Sequence, residues 1–355
     1  MACYCQQKGS TMKILVTGAN GFVGTALIPR LLEQGHHVTA LVREKKKEYK
    51  KLDGVKWLEG DLLIPGNLPE LGKIDKAYYL VHGLKADSSQ FEFQEAIAAV
   101  NFTNWLRPTG ATFIYLGGLA PAGVTLSPHL RSRLLTGAIL GSSGMGLMEF
   151  RASIILGEGS ISFEMIKALT ERLPFRPDFS LLNRPCQPLA LDDLLSYLVQ
   201  AIDVTPEGHQ IVELGGPDVT SYGELMDLYA ELSHLKRKKI KLPEVEVKVL
   251  MKAMDYALPE YADIGKKLTE SLEHPTVMQS QTAEKFFPKI RPVNLKVSME
   301  KARKESRTQY PPLWEKDFLR SLLSDKILTQ SGLLSPELLK NLEKVGKLKD
   351  ILSRK

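Results

Sequence analysis

Apolar positions along the first part of the chain follow two spacings, which predict strands and helices in alternation. Residues 14–16 are a short apolar run with the length of a buried parallel strand. An apolar-periodic stretch over residues 22–32 predicts a helix that ends at Gly35, in the place of a helix C-cap. A second apolar run, residues 38–42, completes a strand–helix–strand unit of about thirty residues. The pattern predicts an α/β fold with a doubly wound parallel sheet.

The same spacings continue along the chain and are interrupted at a few places. Residues 138–148 contain three glycines and predict a flexible segment, and three prolines across 174–186 exclude a continuous helix and predict a loop on the substrate side. Asp192 is expected to cap a helix, and Ser221 with Glu224 has the spacing of a capping box. We expect further strands at residues 55–59, 78–81, 111–116, 149–156 and 209–214, and helices at residues 89–106, 163–173 and 221–235.

The turn between the first strand and the first helix carries glycines at three-residue spacing. Gly18 allows a tight turn, Gly21 allows the backbone to approach a pyrophosphate, and Gly24 allows the helix to pack near the sheet. Amide groups of the first helical turn attract phosphate, and the helix dipole favours its charge. A purely structural turn is the alternative. We expect the pyrophosphate of a dinucleotide to bind Gly18, Asn20, Gly21, Phe22, Val23 and Gly24.

The sequence TGANGFVG at this turn resembles the extended short-chain dehydrogenase/reductase (SDR) superfamily. Over about residues 12–300 the chain is similar to an atypical, epimerase- and NmrA-like bacterial family of that superfamily. The similarity lies in YYLVHGL (78–84), FIYLGGL (113–119), LSPHLRSR (126–133), GEGSISFEMIKALTERLP (157–174) and QPLALDDLLSYL (187–198). The resemblance implies an NAD(P)-binding Rossmann domain with a small lobe on the substrate side.

The resemblance also shows where this chain departs from ordinary SDR enzymes. Such enzymes have a Ser or Thr after the fifth strand and a Tyr-x-x-x-Lys pair on the next helix, whereas this chain has glycines at 117–118, His129 at the Tyr position and Arg133 at the Lys position. Arg133 can keep the contact with the nicotinamide ribose. His129 is a candidate proton donor, because imidazole titrates near neutral pH. The alternative is a helix residue that faces the cleft without chemistry, with Ser127 as the helix cap.

The end of the second strand is where such folds distinguish NAD from NADP. Arg43 stands there and would accommodate the 2′-phosphate of NADP, with Lys45, Lys46 and Lys47 following. Glu44 is the alternative, as a carboxylate for the 2′-hydroxyl of NAD. We expect NADP rather than NAD.

Two further strand ends supply candidate cofactor contacts. The resemblance implies that Asp61, followed by Leu62, contacts the adenine; the alternative for Asp61 is a turn residue. His82 follows the fourth strand, at the edge where open parallel sheets bind ligands, and could equally be a hydrogen-bonded loop histidine.

Length and composition agree with a large α/β protein. The chain has 355 residues, 43% of them hydrophobic, and a formal net charge of +6. Basic runs at 43–51 and 236–241 are expected to be solvated faces, and no nucleic-acid motif accompanies them. Three cysteines without metal-ligand spacing predict no metal site and a reducing cytoplasm. We find neither a secretory signal nor an apolar run of 18 residues.

We expect four parts in the chain. Residues 1–11 form a disordered tail or precede a start at Met12, 12–215 form the Rossmann domain, 216–310 the small lobe and 311–355 a helical extension. A basic amphipathic helix at 335–355 predicts packing or a homo-oligomer, or else contact with a membrane surface or partner.

Three functional classes remain open. We favour an NADP-dependent oxidoreductase or epimerase-like enzyme on an unknown small carbonyl or hydroxyl substrate, with an altered proton donor. A cofactor-binding sensor and a structural or assembly subunit are the alternatives, because the Ser and Tyr are missing and fold alone does not fix function.

Overall fold

A computed structural model describes residues 10–46, 53–83, 90–121, 123–173, 175–241 and 272–308. In these ranges strands and helices alternate through the first half of the chain. The strands are β1 (Lys13–Thr17), β2 (His37–Val42), β3 (Val55–Glu59), β4 (Lys76–Tyr79), β5 (Thr112–Gly118), β6 (Leu147–Ala152), β7 (Ile155–Leu156), β8 (Phe175–Asp178), β9 (Pro185–Cys186), β10 (Leu189–Ala190), β11 (His209–Leu214), β12 (Thr220–Ser221) and β13 (Lys238–Lys241). The helices are α1 (Phe22–Glu33), α2 (Phe91–Leu106), α3 (Pro128–Gly141), α4 (Ile161–Arg172), α5 (Leu191–Gln200), α6 (Tyr222–Leu232), α7 (Thr282–Phe286) and α8 (Leu295–Glu305).

Seven strands form one parallel sheet in the order β3-β2-β1-β4-β5-β6-β11. β1 lies between β2 and β4, with Val16 paired to Ala40 on one side and Tyr78 on the other. The strand order reverses at β1, and a crevice opens there beyond the carboxyl ends of the strands. The predicted doubly wound parallel sheet is confirmed.

Apolar side chains on both faces of this sheet form separate cores. One core joins the sheet to α1 and α5, and includes Ile14, Leu27 and Leu198. The other joins it to α2 and includes Phe102 and Phe113. A sheet buried on both faces needs near-continuous apolar strands, which explains why β1 reads Ile-Leu-Val. These cores hold the strand ends that build the crevice.

A third apolar cluster forms the interior of a smaller lobe. It brings together Phe163 on α4, Leu225 and Tyr229 on α6, and Met299 on α8. Arg176 on β8 ties this lobe together, because its buried guanidinium donates to both carboxylate oxygens of Asp227, at 3.2 Å each. The cluster combines helices from both sides of the expected boundary at 215/216, and that boundary stays a prediction.

The predicted flexible segment at 138–148 is wrong. α3 continues to Gly141 and β6 begins at Leu147. Gly141 in this segment has a packing role, because a Cβ there would collide with the ring of His209. Gly137, just before the segment, has a similar role, because its Cβ would lie 2.6 Å from a carboxylate oxygen of Glu149. The two glycines therefore leave room for the 2.6 Å contact between His209 Nε2 and Glu149 Oε2.

Three other predicted elements are placed differently. The predicted strand at 78–81 lies at Lys76–Tyr79, because Leu80 leaves the sheet to pass over the first turn. α5 begins after Ala190 without a side-chain cap, so Asp192 is not its cap; its carboxylate accepts from Arg30 Nη2 at 3.0 Å and contacts Lys301. The region 174–186 contains β8 and β9 rather than only loop.

The capping box at Ser221 is confirmed. The amide of Glu224 donates to Ser221 Oγ at 3.3 Å, and α6 ends at Leu232 rather than Leu235. The expected tail at 1–9, Lys47 and the helix at 335–355 lie outside the described residues, so these predictions stay open. None of the helices within the described ranges is long and apolar enough to cross a membrane.

Candidate functional site

A cleft of about 1110 Å³ opens beyond the carboxyl ends of the central strands. The Rossmann sheet forms one side of the cleft and the smaller lobe contributes to the other. The residues that line it include the following candidates from the sequence: Gly18, Asn20, Gly21, Phe22, Val23, Gly24, Arg43, Asp61, Leu62, His82, His129 and Arg133. Glu44, Lys45 and Lys46 are not among them. Ligand clefts usually measure roughly 300–1,000 Å³, so this one has room for a dinucleotide and a substrate.

The glycine turn is built as a close-approach site. Gly18 has φ +69°, and a Cβ there would collide with the carbonyl oxygen of Leu80. A Cβ on Gly24 would lie 2.9 Å from Cα of Ala19, so the helix can approach the turn only at a glycine. Gly21 is the N-cap of α1 and provides no side-chain cap. Phe22, Val23 and Gly24 begin α1 and line the cleft, and their amides donate to no N-cap side chain, which suits an anionic group.

The expected adenosine end of the cleft carries Arg43 and Asp61. Arg43 lies exposed just after β2. Asp61 Oδ1 accepts from the amide of Leu63 at 2.9 Å, so this carboxylate builds the turn after β3 while it lines the cleft. The backbone amide of Lys45 donates to Glu59 at 3.3 Å, which fixes the start of the basic run. Asp61 is therefore a turn residue that is also placed where it could contact an adenine.

His82 lies at the end of the fourth strand and is held by a carboxylate that the sequence did not single out. Its Nδ1 lies 2.8 Å from Oε1 of Glu95. The same oxygen accepts from the amide of Gly83 at 2.9 Å, and Oε2 accepts from Ser132 Oγ at 2.6 Å. Glu95 is 5% exposed. Its burial favours the protonated acid, but the His82 hydrogen bond and the Arg133 charge outweigh this, so the pKa of Glu95 lies well below its usual range.

Arg133 is also buried, and it lies at the edge of the cleft where the Lys of ordinary SDR enzymes is expected. Its guanidinium contacts the carbonyl oxygen of Leu116 and lies 3.4 Å from that of Val81. Its Cζ is 4.9 Å from the centre of the Tyr115 ring, and Nη1 is 3.9 Å from Glu95 Oε1. Burial works against the charged form, but the neighbouring groups raise the pKa of Arg133. Arg133 thus joins the ends of β4 and β5, and its predicted ribose contact stays a prediction.

His129 lies on the first turn of α3, where Ser127 caps the helix and Pro128 begins it, as predicted. The ring centroid of His129 is 5.1 Å from that of His82, and the His129 ring stacks at 6.3 Å on Phe91. The cleft therefore holds two imidazoles side by side, with a phenyl ring against both.

Sequence reasoning missed Glu95 and Ser132. A signal was available for Glu95, because it lies on the same helical face as Phe91, Ala98 and Phe102, all buried. A charged residue in an apolar stripe needs a partner. The partners come from other elements, so the spacing alone does not name them. Ser132 is buried on α3 and offers no such signal.

Leu272, His274 and Thr276 line the lobe side of the cleft. The amide of Ser127 donates to His274 Nε2 at 3.2 Å, and the hydroxyls of Ser153 and Thr276 lie 2.7 Å apart. Cys186 lines the same wall, and burial raises the pKa of its thiol to about 12. Among the described residues, no group of three or more His, Cys, Asp or Glu side chains could hold a metal ion.

Residues 14–125 match the model of the NAD dependent epimerase/dehydratase family, which is what the resemblance predicted for this part of the chain. The fold of the described residues is a Rossmann-type α/β fold. The UDP-glucuronic acid 4-epimerase of Bacillus cereus, solved with UDP-glucuronic acid and NAD, shares this fold with a TM-score of 0.63 and 15% identity, over 83% of this chain and 98% of its own.

Curated relatives match only a short part of the chain. The dTDP-6-deoxy-L-talose 4-dehydrogenase (NAD(+)) of Aggregatibacter actinomycetemcomitans is 30% identical over 71 residues, 20% of this chain and 26% of its own. Photosystem II assembly factor Ycf39 of Guillardia theta is 42% identical over 59 residues, 16% of this chain and 19% of its own. This chain therefore spans about a quarter or less of the lengths of these relatives.

Proposed function

We propose that the protein is an NADP-preferring oxidoreductase or epimerase-like enzyme that acts on a small carbonyl or hydroxyl substrate. The observation that carries the proposal is one continuous cleft, which joins the glycine turn to two adjacent imidazoles. The glycine turn and the first-turn amides of α1 hold the diphosphate, and Asp61 and Leu62 border the adenine. A bound nicotinamide supplies or accepts hydride. The protein contributes the placement of the substrate oxygen and the proton.

The proton step falls to imidazole because the cleft wall has no tyrosine on α3. The resemblance puts His129 at the sequence position of the tyrosine of ordinary SDR enzymes, and a neutral or charged imidazole can donate an N–H. Its ring stacks on Phe91, which shields one side from water. Arg133 lies one helical turn further, keeps the ends of β4 and β5 together and borders the nicotinamide ribose. Gly117 and Gly118 replace the serine that would orient a carbonyl.

The proposal is tested by turnover. The purified chain is mixed with NADPH, and absorbance at 340 nm is followed against panels of carbonyl compounds and quinones; sugar nucleotides are assayed separately for epimerisation. Turnover with at least one class is expected. Tight NADPH binding without turnover on any panel would overturn the enzyme proposal.

A second candidate is a non-catalytic NADP-binding redox sensor or assembly factor. The observation that favours it is the local similarity to Ycf39, whose name describes assembly of photosystem II, together with the absence of a Tyr-x-x-x-Lys pair from α3. Capture of a partner that depends on the NADPH/NADP ratio, without turnover, would support it.

Cofactor preference gives a separate prediction at Arg43. Replacing Arg43 with serine is expected to weaken NADP binding about tenfold and leave NAD binding within about twofold, because one charge-assisted hydrogen bond contributes roughly 1.5–3 kcal/mol. Dissociation constants for both cofactors are measured by calorimetry. Arg107→Ser is the control, since this exposed arginine at the end of α2 is absent from the cleft. Equal losses for NADP and NAD would contradict the assignment.

A further inference from the structure

Glu95 is placed where an ionised carboxylate is costly unless other groups compensate it. Its side chain is 6% exposed, on the apolar face of α2. The compensation comes from the cleft: His82 and the Gly83 amide at the end of the fourth strand, and Ser132 and Arg133 on α3. The carboxylate thus lies at the junction of the elements that carry both imidazoles. A residue needed only to pack this helix would be apolar.

The contacts of Glu95 fix the tautomer of His82. An ionised carboxylate only accepts hydrogen bonds, so the nitrogen 2.8 Å from Oε1 must carry a proton. Arg133 Nη1 lies 3.4 Å from the same Nδ1, but guanidinium only donates, and two donors cannot bond each other. The shorter contact decides: Nδ1–H donates to Glu95. Nε2 is therefore the nitrogen through which His82 exchanges a proton.

The charged groups around His82 determine whether its ring can take up a second proton. Glu95 faces His82 from α2, and Arg133 and His129 face it from α3. Arg133 alone disfavours a second positive charge nearby, whereas the Glu95 carboxylate favours it. Among these described residues, Glu95 supplies the negative charge that favours an imidazolium at His82 beside Arg133. The ring centroids of His82 and His129 are 5.1 Å apart, which allows facing ring nitrogens to come within hydrogen-bonding distance.

We propose that Glu95 is a positioning residue that holds His82 as a reserve proton donor, and that His82 resupplies His129. This proposal rests on the proposed function and deepens it. In the reducing direction, the substrate carbon gains hydride and the substrate oxygen gains the proton of His129. As neutral His129 gives up this proton, the imidazolium of His82 gives its Nε2 proton to the other ring nitrogen of His129, so that both rings end neutral while His82 Nδ1–H stays bonded to Glu95. One proton leaves the pair in each turnover, and solvent restores it to His82; the oxidising direction reverses each transfer.

The first test needs no substrate. The full chain is labelled with ¹⁵N, and histidine ring resonances are followed with pH; His82 is assigned from the signals lost in His82→Asn. We expect neutral His82 in the Nδ1–H form. In Glu95→Gln, the amide oxygen can still accept a hydrogen bond but the charge is gone, so the titration of His82 should move to lower pH.

The matched control is Glu92→Gln, on the same helix. Glu92 accepts from Arg131, with Oε1 2.5 Å from Nη2, and is not among the residues that line the cleft. This variant should leave the His82 titration and tautomer unchanged. Neutral His82 in the Nε2–H form in the wild type, or equal titrations in Glu95→Gln and Glu92→Gln, would overturn the proposal. The tautomer of wild-type His82 keeps the test independent of the folding of Glu95→Gln, and His82→Asn is suited to the assignment because His82 is partly exposed.

The second test uses any substrate that the turnover panels identify. Glu95→Gln and His82→Asn should each lower kcat about tenfold or more, with KM within about twofold, and should change the acidic limb of the kcat–pH profile. Unchanged kcat in both variants would overturn the relay while the enzyme proposal stands. No turnover by the wild type would overturn the enzyme proposal and the relay together, so the two failures can be told apart.

Discussion

Alanine at position 18 is expected to weaken binding of NADPH by at least about a hundredfold, or about 2.7 kcal/mol. Gly18 has φ +69°, which costs roughly 1–2 kcal/mol for a residue with a Cβ. The new methyl would also meet the carbonyl of Leu80, 2.6 Å from its carbon. Either the turn shifts or Leu80 moves, and both change the amides that face the diphosphate. Calorimetry with NADPH measures the loss.

Gly35→Ala is the matched control for this experiment. Gly35 has φ +83°, a comparable left-handed conformation, but nothing lies within 4 Å of its added Cβ and it is absent from the cleft. It should lower thermal stability slightly and leave NADPH binding within about twofold. If Gly18→Ala, folded as judged by its thermal transition, bound NADPH as tightly as Gly35→Ala, the phosphate role of the turn would be wrong.

Removing the imidazole of His129 is expected to have the second largest effect. His129→Ala should lower kcat by about a hundredfold or more, because positioned acid–base groups contribute typically 10²–10⁴ in rate. NADPH binding should change little, since the glycine turn is untouched. His129→Tyr places a phenol at the position used by ordinary SDR enzymes and should recover part of the lost rate if this position delivers the proton.

The control for His129 is His37→Ala, because His37 is exposed on β2 and absent from the cleft. Its kcat should match that of the wild type. A His129→Ala variant with wild-type kcat would remove His129 from the proton step.

Local sequence patterns predicted the part of the site that is formed by contiguous residues. The strand, the glycine turn and α1 are contiguous, and the reason for each glycine lies within a few residues or in the neighbouring strand. The predicted sheet is confirmed for the same reason, since each strand carries its own apolar run. Arg43, Asp61 and His82 could be placed because parallel strands present their carboxyl ends at one edge.

The remaining features depend on contacts between distant elements. The glycines of residues 138–148 predicted flexibility, yet Gly141 makes room for His209, as the neighbouring Gly137 does for Glu149. The role of Glu95 in the site depends on its hydrogen bonds with His82 and Ser132, which are 13 and 37 residues away in the sequence. A periodic pattern of apolar residues does not show which residues 13 or 37 positions apart come into contact. The sequence does show that Glu95 is a charged residue on an apolar helix face. Such a mismatch can identify a buried charged residue that has a partner elsewhere in the fold.

A crystal structure of the chain grown with NADPH tests the central claim most directly. The account predicts density for the diphosphate against the backbone amides of residues 18–24, with the adenosine 2′-phosphate toward Arg43 and the nicotinamide toward His82 and His129. Nucleotide bound elsewhere, or none bound in this cleft at millimolar NADPH, would contradict it.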